Sequence, residues 1–426
     1  MEALILFGTF TVLLLLGLPI AFVLCLSSLA TILYMGLPPM VVFQRMSSGM
    51  NVFSLMAIPF FIYAGELMLR GAIAEKLFRL ASGLIGYVRG GLGLVNVATS
   101  IFFGGVSGSA VAGASAVGSL MIPEMKKRGY SVEYSVSVTV TAAIIAMLIP
   151  PSHNMIIYSN SAGGMISIAD LFTAGILPGL LMGVLLMIAA YVVARRKGYP
   201  AEAFPGFAKL GQIFIVAIPA LLLVAIIVGG VRSGVFTATE SSMIAVVYAF
   251  LVTLLVYRSL SWNDFILATR GAVRTTAMVL MVIGGAGAFG WLMAMLKIPT
   301  AMVEFMKGVS ENGLVIFLLI NLMLLFLGCF MDMAPLIIIC TPIFLPVVTA
   351  FGMDPIHFGI ILIMNLGIGL CTPPVGSVLF VGCAVGKIPI TQAVKAILPF
   401  YAACVTALML VTYIPAISLF LPMVFR

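Results

Sequence analysis

Twice the chain interrupts a long apolar run with a pair of prolines: LIPPSHN at Leu148–Asn154 and LCTPPVG at Leu370–Gly376. Two consecutive prolines remove two helix donors, which in water marks a surface turn. The surroundings here are not those of a water-soluble protein. Only 8% of the residues are charged, 63% are hydrophobic, and the mean hydropathy is +1.28. A chain of this kind crosses a bilayer and must satisfy its own backbone, and long apolar runs do so as helices. A helix broken at depth is tolerated only where its freed N–H and C=O groups line a polar cavity or hold an ion.

Apolar runs between charges predict ten spans, at about 3–17, 19–35, 52–70, 131–162, 171–194, 210–230, 238–257, 275–296, 355–385 and 397–421. Residues 1–16 lack a basic leader and a small-residue cleavage site, so they are expected to remain as the first span. No polar stretch is long enough for an appended catalytic or nucleotide-binding domain. Two further apolar segments have flanks that place both ends on one side: 89–126, with Arg89 before it and Lys126, Lys127 and Arg128 after it, and 313–351, between Glu311 and Asp354. Both are expected to be re-entrant hairpins. With the N-terminus outside, sixteen Lys and Arg fall on the cytoplasmic side and five outside (Arg45, Arg232, Lys297, Lys307 and Arg426), as the positive-inside rule requires. Both termini are then periplasmic. Amphipathic stretches at Ala72–Gly90, Pro299–Ser310 and Trp262–Arg274 are expected to lie along the membrane surface, the first two as hinges before the hairpins.

The halves repeat. A shift of 223 residues lays Gly105 on Gly328, Pro123 on Pro346, Gly129 on Gly352, Pro150–Pro151 on Pro373–Pro374 and Gly163 on Gly386. These are residues with backbone meaning. The expected division is 1–200, with hairpin 89–126 and broken helix 131–162, and 201–426, with hairpin 313–351 and broken helix 355–385. Five spans per half invert the second half. Inverted repeats with paired Gly/Pro interruptions point to the binding site of a secondary transporter.

The hairpin tips supply the chemistry. The first reads Gly104-Gly-Val-Ser-Gly-Ser109; the second reads Gly328-Cys-Phe-Met-Asp-Met-Ala-Pro335, with Asp332 the one acidic residue expected at that depth. Free carbonyls suit Na⁺, and helix N-termini suit an anion. Two symmetric breaks suggest two or more Na⁺ sites: Ser107, Gly108, Ser109, Pro150 and Asn154 in one, Met331, Asp332, Thr372, Pro373 and Gly376 in the other. Ser107, Ser109, Ser152, Asn154, Thr372 and Ser377 are the candidate substrate-binding side chains. For Asp332 two roles stand open, partner of a cation or cap of a helix beginning near Pro335. His153 adjoins the first break, where packing is as good a reading as contact with substrate.

Other motifs carry nothing. Gly285-Ala-Gly-Ala-Phe-Gly290 matches a dinucleotide fingerprint but follows no strand, and there is no phosphate-binding P-loop. The six cysteines lie in apolar stretches without metal spacing. His357 lies near a loop. No nucleophile–base set suggests an enzyme, and the net charge of +8 reflects loop orientation rather than nucleic-acid binding.

On GGVSGSAVA (104–112), IPEMKKRGY (122–130), IPPS (149–152), FMDMAP (330–335) and TPPVG (372–376), the chain resembles, over essentially its whole length, the large membrane subunit of tripartite ATP-independent periplasmic (TRAP) transporters. That family lies within a superfamily that includes divalent anion/Na⁺ symporters. The resemblance implies a bacterial inner-membrane permease in which Na⁺ drives uptake of an organic acid and a transport block moves as an elevator. It implies two partners, a small four-helix membrane subunit of the Q type and a soluble periplasmic binding protein of the P type. Without a fused small-subunit segment, the former is expected as a separate polypeptide. Family members carry dicarboxylates, keto acids, sialic acid and other sugar acids. The alternatives are a stand-alone Na⁺- or H⁺-coupled anion symporter of the same superfamily and, in a different class, an ion channel.

Overall fold

The structure, a computed structural model, describes residues 1–201 and 204–425; Arg426, one of the five charges expected outside, lies beyond the described residues. Among these residues there are helices and turns but no strand. The first half comprises α1 (Glu2–Leu15), α2 (Ile20–Tyr34), α3 (Met40–Met50), α4 (Ala57–Arg70), α5 (Ile73–Ile85), α6 (Gly91–Ser107), α7 (Ala110–Lys127), α8 (Val132–Ala143), α9 (His153–Ser161) and α10 (Ile168–Arg196). The second comprises α11 (Phe207–Arg232), α12 (Ala238–Leu251), α13 (Trp262–Met295), α14 (Ile298–Val309), α15 (Gly313–Gly328), α16 (Met333–Ala350), α17 (Pro355–Gly369), α18 (Ser377–Gly386), α19 (Ile390–Tyr413) and α20 (Ala416–Val424). This is an all-α polytopic membrane protein.

The spacing seen in the glycines and prolines recurs in the helices. Adding 223 to the bounds of α7, 110 and 127, gives 333 and 350, the bounds of α16. Both helices end on a left-handed glycine, Gly129 (φ +82°) and Gly352 (φ +85°), a conformation that costs glycine little. The next helices, α8 and α17, start at 132 and 355, again 223 apart. At the start of α17, Asp354 accepts from the N–H groups of Ile356 (2.8 Å) and His357 (3.3 Å). The two arm helices α5 and α14 each begin on a left-handed residue that is not glycine, Ala72 (φ +58°) and Lys297 (φ +54°).

Two layers set up the site. On one side α13 packs on α2, α3 and α4, and α4 on α12. On the other, the pairs α6/α7 and α15/α16 enclose α8 and α17. The enclosed helices are the breaking ones, and they are buried nearly end to end, Tyr134–Ala143 in α8 and Ile356–Gly369 in α17. A helix apolar on all faces belongs in such a position. The serine and threonine hydroxyls of α8 cost little there because each finds a carbonyl four residues back: Ser135 at 2.9 Å, Ser137 at 2.6 Å, Thr139 at 2.8 Å and Thr141 at 2.8 Å. In the second half Asn365 donates to Asn321 Oδ1 (2.6 Å), and Asn321 donates to Thr412 (3.0 Å).

Three expectations need correction. Trp262–Arg274 is not a separate surface arm. It is the start of the 34-residue α13, opened by a Ser261/Asp264 capping box and containing no proline to break it. The predicted span 397–421 is broken: Pro415 leaves Ile414 at φ −122°, ψ 83°, outside the helical region, and α20 starts afresh. The helix α3 had no counterpart in the span prediction, because its mixed polar face hides it from hydropathy.

Candidate functional site

Each hairpin tip docks on the break of its own half. In the first, α6 ends at Ser107, Gly108 turns with φ +58°, and Ser109 caps α7 by accepting from Ala112 N–H at 3.4 Å. The glycine is required twice over. Its φ is left-handed, and a β-carbon there would collide with the Pro151 carbonyl oxygen and lie 3.3 Å from Ser152 Cα. Four residues earlier, in α6, the close approach continues at Gly104, where a β-carbon would lie 2.7 Å from Ala146 Cα. The break itself runs through a 3-10 turn at Ile144–Met147 and a cis Pro150–Pro151 bond to Ser152, the extended residue before α9. Ser152 is fully buried and its hydroxyl has no hydrogen-bond partner among the described residues.

In the second half the joint is a main-chain hydrogen bond: Val375 N–H, just past the cis Pro373–Pro374 bond, donates to the Cys329 carbonyl at 3.1 Å. Gly328 and Gly369 touch backbone to backbone; a β-carbon on Gly328 would lie 3.1 Å from Gly369 Cα. Gly376 (φ +39°) faces a pair of carbonyls, and a β-carbon there would lie 3.0 Å from Thr372 O and 3.3 Å from Leu370 O. The Thr372 hydroxyl donates to Ile368 O at 2.8 Å, and Tyr401 donates to the Cys371 carbonyl. Met331 is buried in the tip, its N–H on the Leu327 carbonyl at 3.3 Å. Asp332 occupies the N-cap position of α16, which begins at Met333 rather than Pro335, but its carboxylate makes no capping hydrogen bond.

Between the layers lies a cavity of about 410 Å³. Three helix N-termini converge on it: Ser109 to Ala112 of α7, His153 and Asn154 of α9, and Asp332 to Ala334 of α16. Each such terminus presents unpaired N–H groups and about half a positive charge. Opposite stand Glu66 of α4 and Thr275 and Met278 of α13. Ser107, Ser109, Asn154 and Asp332 therefore share one cavity wall, with His153 beside them. Thr372, Pro373, Gly376, Ser377, Pro150 and Ser152 lie in the breaks and do not line the cavity; the Ser377 hydroxyl, like that of Ser152, is buried with no partner among the described residues.

A second carboxylate, Glu66, joins Asp332 at this cavity. It lines the same cavity, 3.9 Å from Arg70 Nε and packed against Gly271. In sequence it stands four residues before Arg70, at the end of the apolar run 52–70. Among the described residues, the charged side chains lining the cavity are these two carboxylates, with no Lys or Arg, so its hydrogen-bond donors are backbone N–H groups, hydroxyls, the Asn154 amide and the His153 ring.

Comparison with known proteins fits this geometry. Residues 7–417 match the family described as tripartite ATP-independent periplasmic transporter, DctM component. The chain is 44% identical over 425 residues to the uncharacterized protein YgiK of Salmonella typhimurium, covering 99% of this chain and 97% of that one. It is 39% identical over 418 residues to the isethionate TRAP transporter permease protein DctMQ of Oleidesulfovibrio alaskensis, covering 98% of this chain and 66% of that one. Among solved structures, the Alcanivorax borkumensis YdaH transporter superposes with a TM-score of 0.62 at 11% identity, over 87% of this chain and 86% of that one; this likeness is one of fold.

Proposed function

The chain belongs to the DctM-component family of tripartite ATP-independent periplasmic transporters, and from that premise we propose that it is the Na⁺-coupled large permease subunit for an organic anion. The observation that carries the reading is the convergence of three helix N-termini on one cavity that also holds two carboxylates, Glu66 and Asp332. N-terminal N–H groups receive the anionic end of a substrate. The two joints between tip and break gather main-chain carbonyls suited to Na⁺. In the first half these are offered around Gly108, Pro150 and Pro151, and in the second around Thr372 and Gly376, with Asp332 nearby. The isethionate carried by the relative's name is an organic anion, consistent with such a cavity.

In this reading α6/α7 and α15/α16 are re-entrant hairpins of two inverted repeats, 1–200 and 201–426. Together with α8/α9 and α17/α18 they form the block that moves as an elevator against α2, α4, α12 and α13. The arms α5 and α14 are its hinges. The permease sits in the inner membrane with both termini periplasmic, and works with a Q-type small subunit and a P-type binding protein. The test is reconstitution of all three components in proteoliposomes, measuring uptake of radiolabelled organic acids with and without an inward Na⁺ gradient. Uptake that ignores the gradient removes the Na⁺ coupling; uptake by this chain alone turns the reading into a stand-alone symporter.

A further inference from the structure

A second cavity, of about 570 Å³, lies far from the hairpin tips, where α3 crosses the end of α13. The crossing is close because glycines meet: a β-carbon on Gly49 would lie 3.1 Å from Gly287 Cα, and one on Gly287 would lie 2.9 Å from the Arg45 carbonyl oxygen. This contact holds Arg45 against α13, with its guanidinium carbon 4.6 Å from the centre of the Trp291 ring. No carboxylate among the described residues pairs with Arg45. Gln44 and Ser48, one helical turn apart, add polar groups to the same recess, and Leu37 and Met295 close its apolar end. Beside it Met40 and Phe43 are 61% and 62% exposed. The recess sits at the ends of α2 and α13, so it lies at the rim of the apolar layer.

An unpaired guanidinium oriented on an indole, flanked by hydrogen-bonding side chains and then by apolar surface, fits an amphipathic anion. Guanidinium presents a planar fork of donors that matches phosphate oxygens. Tryptophan at an interface anchors both the cation and a lipid boundary. We propose that this recess binds the phosphate of a phospholipid headgroup, with Arg45 as its principal donor and the acyl chains running over Leu37, Met40 and Phe43.

The test is native mass spectrometry of the purified full-length protein in detergent, titrated separately with phosphatidylglycerol, with the diacylglycerol of the same chains, and with inorganic phosphate. The expected result is saturable binding of a first phosphatidylglycerol and none of diacylglycerol at the same concentration. Arg45→Ala should weaken that first event by about tenfold or more. Arg45→Lys, which keeps the charge and loses the fork, should fall between, and keeps the test decisive should the alanine variant fail to fold. Lys307→Ala, a charge removed elsewhere, should change nothing. A first binding event indifferent to both Arg45 variants overturns the proposal. Inorganic phosphate that binds alone with the same Arg45 dependence assigns the recess to a free anion and overturns the lipid. Loss of the lipid on adding the small membrane subunit assigns it to a subunit contact and overturns it equally.

Discussion

Gly108 is where one methyl group tests the joint between hairpin and break. In Gly108→Ala the new β-carbon meets two penalties. The left-handed backbone at φ +58° costs a non-glycine residue about 1–2 kcal/mol. Collision with the Pro151 carbonyl, a backbone atom that cannot swing aside, adds about 1–3 kcal/mol. The sum, about 2–5 kcal/mol, disfavours the docked tip by at least about thirtyfold at 1.4 kcal/mol per decade. Where Na⁺ needs the docked tip and that tip becomes the minor state, the apparent Na⁺ requirement rises in proportion. The assay is initial uptake in proteoliposomes against Na⁺ concentration, with thermal unfolding of the purified variant as the check on folding. Gly113→Ala is the control, since its β-carbon would meet Ala143 Cβ at an ordinary 3.7 Å. A folded Gly108→Ala with the Na⁺ dependence of the parent protein would refute the argument that this tip forms an ion site.

Asp332→Asn keeps a hydrogen-bonding side chain and removes only the charge; it is expected to lose most transport and to need more Na⁺ for what remains, and Asp332→Ala to lose at least as much. Uptake against Na⁺ concentration separates this from a capping role, which would leave the Asn variant near normal. Gly376→Ala, with its β-carbon 3.0 Å from Thr372 O at φ +39°, should likewise raise the Na⁺ requirement at the second joint, by about tenfold or more; unchanged uptake kinetics place that ion elsewhere. For topology, Lys127→Cys and Arg196→Cys should resist an impermeant thiol reagent added outside intact cells, and labelling of either places its loop in the periplasm.

Much of the site was legible because it is written in residues whose effect on the backbone is local. Pro150–Pro151 and Pro373–Pro374 break helices wherever they stand, and Gly129 and Gly352 end helices 223 residues apart for the same reason. The turns of both hairpins fall where the glycines and Asp332 placed them, between Ser107 and Ala110 and between Gly328 and Met333. What could not be read depends on neighbours distant in sequence. Glu66 acquires its place only because α4 and α13 face the tips across the cavity. Asn154 reaches the cavity while Ser152, two residues earlier and just before α9, is buried away from it; only the packing of the break and of α9 decides which. The continuity of α13 escaped hydropathy because its first turns are charged although its backbone is unbroken.

The bond from Val375 to Cys329, with the glycine contacts around it, joins hairpin to break through atoms that every amino acid shares. Side chains on the cavity wall are under no such obligation: Val111, Thr275 and Met278 can change without disturbing that joint. Gene duplicates descended from a chain like this one are therefore free to drift toward new cargo while inheriting the same joint intact. The diversity of such a lineage should accumulate on the walls, and its monotony at the glycines.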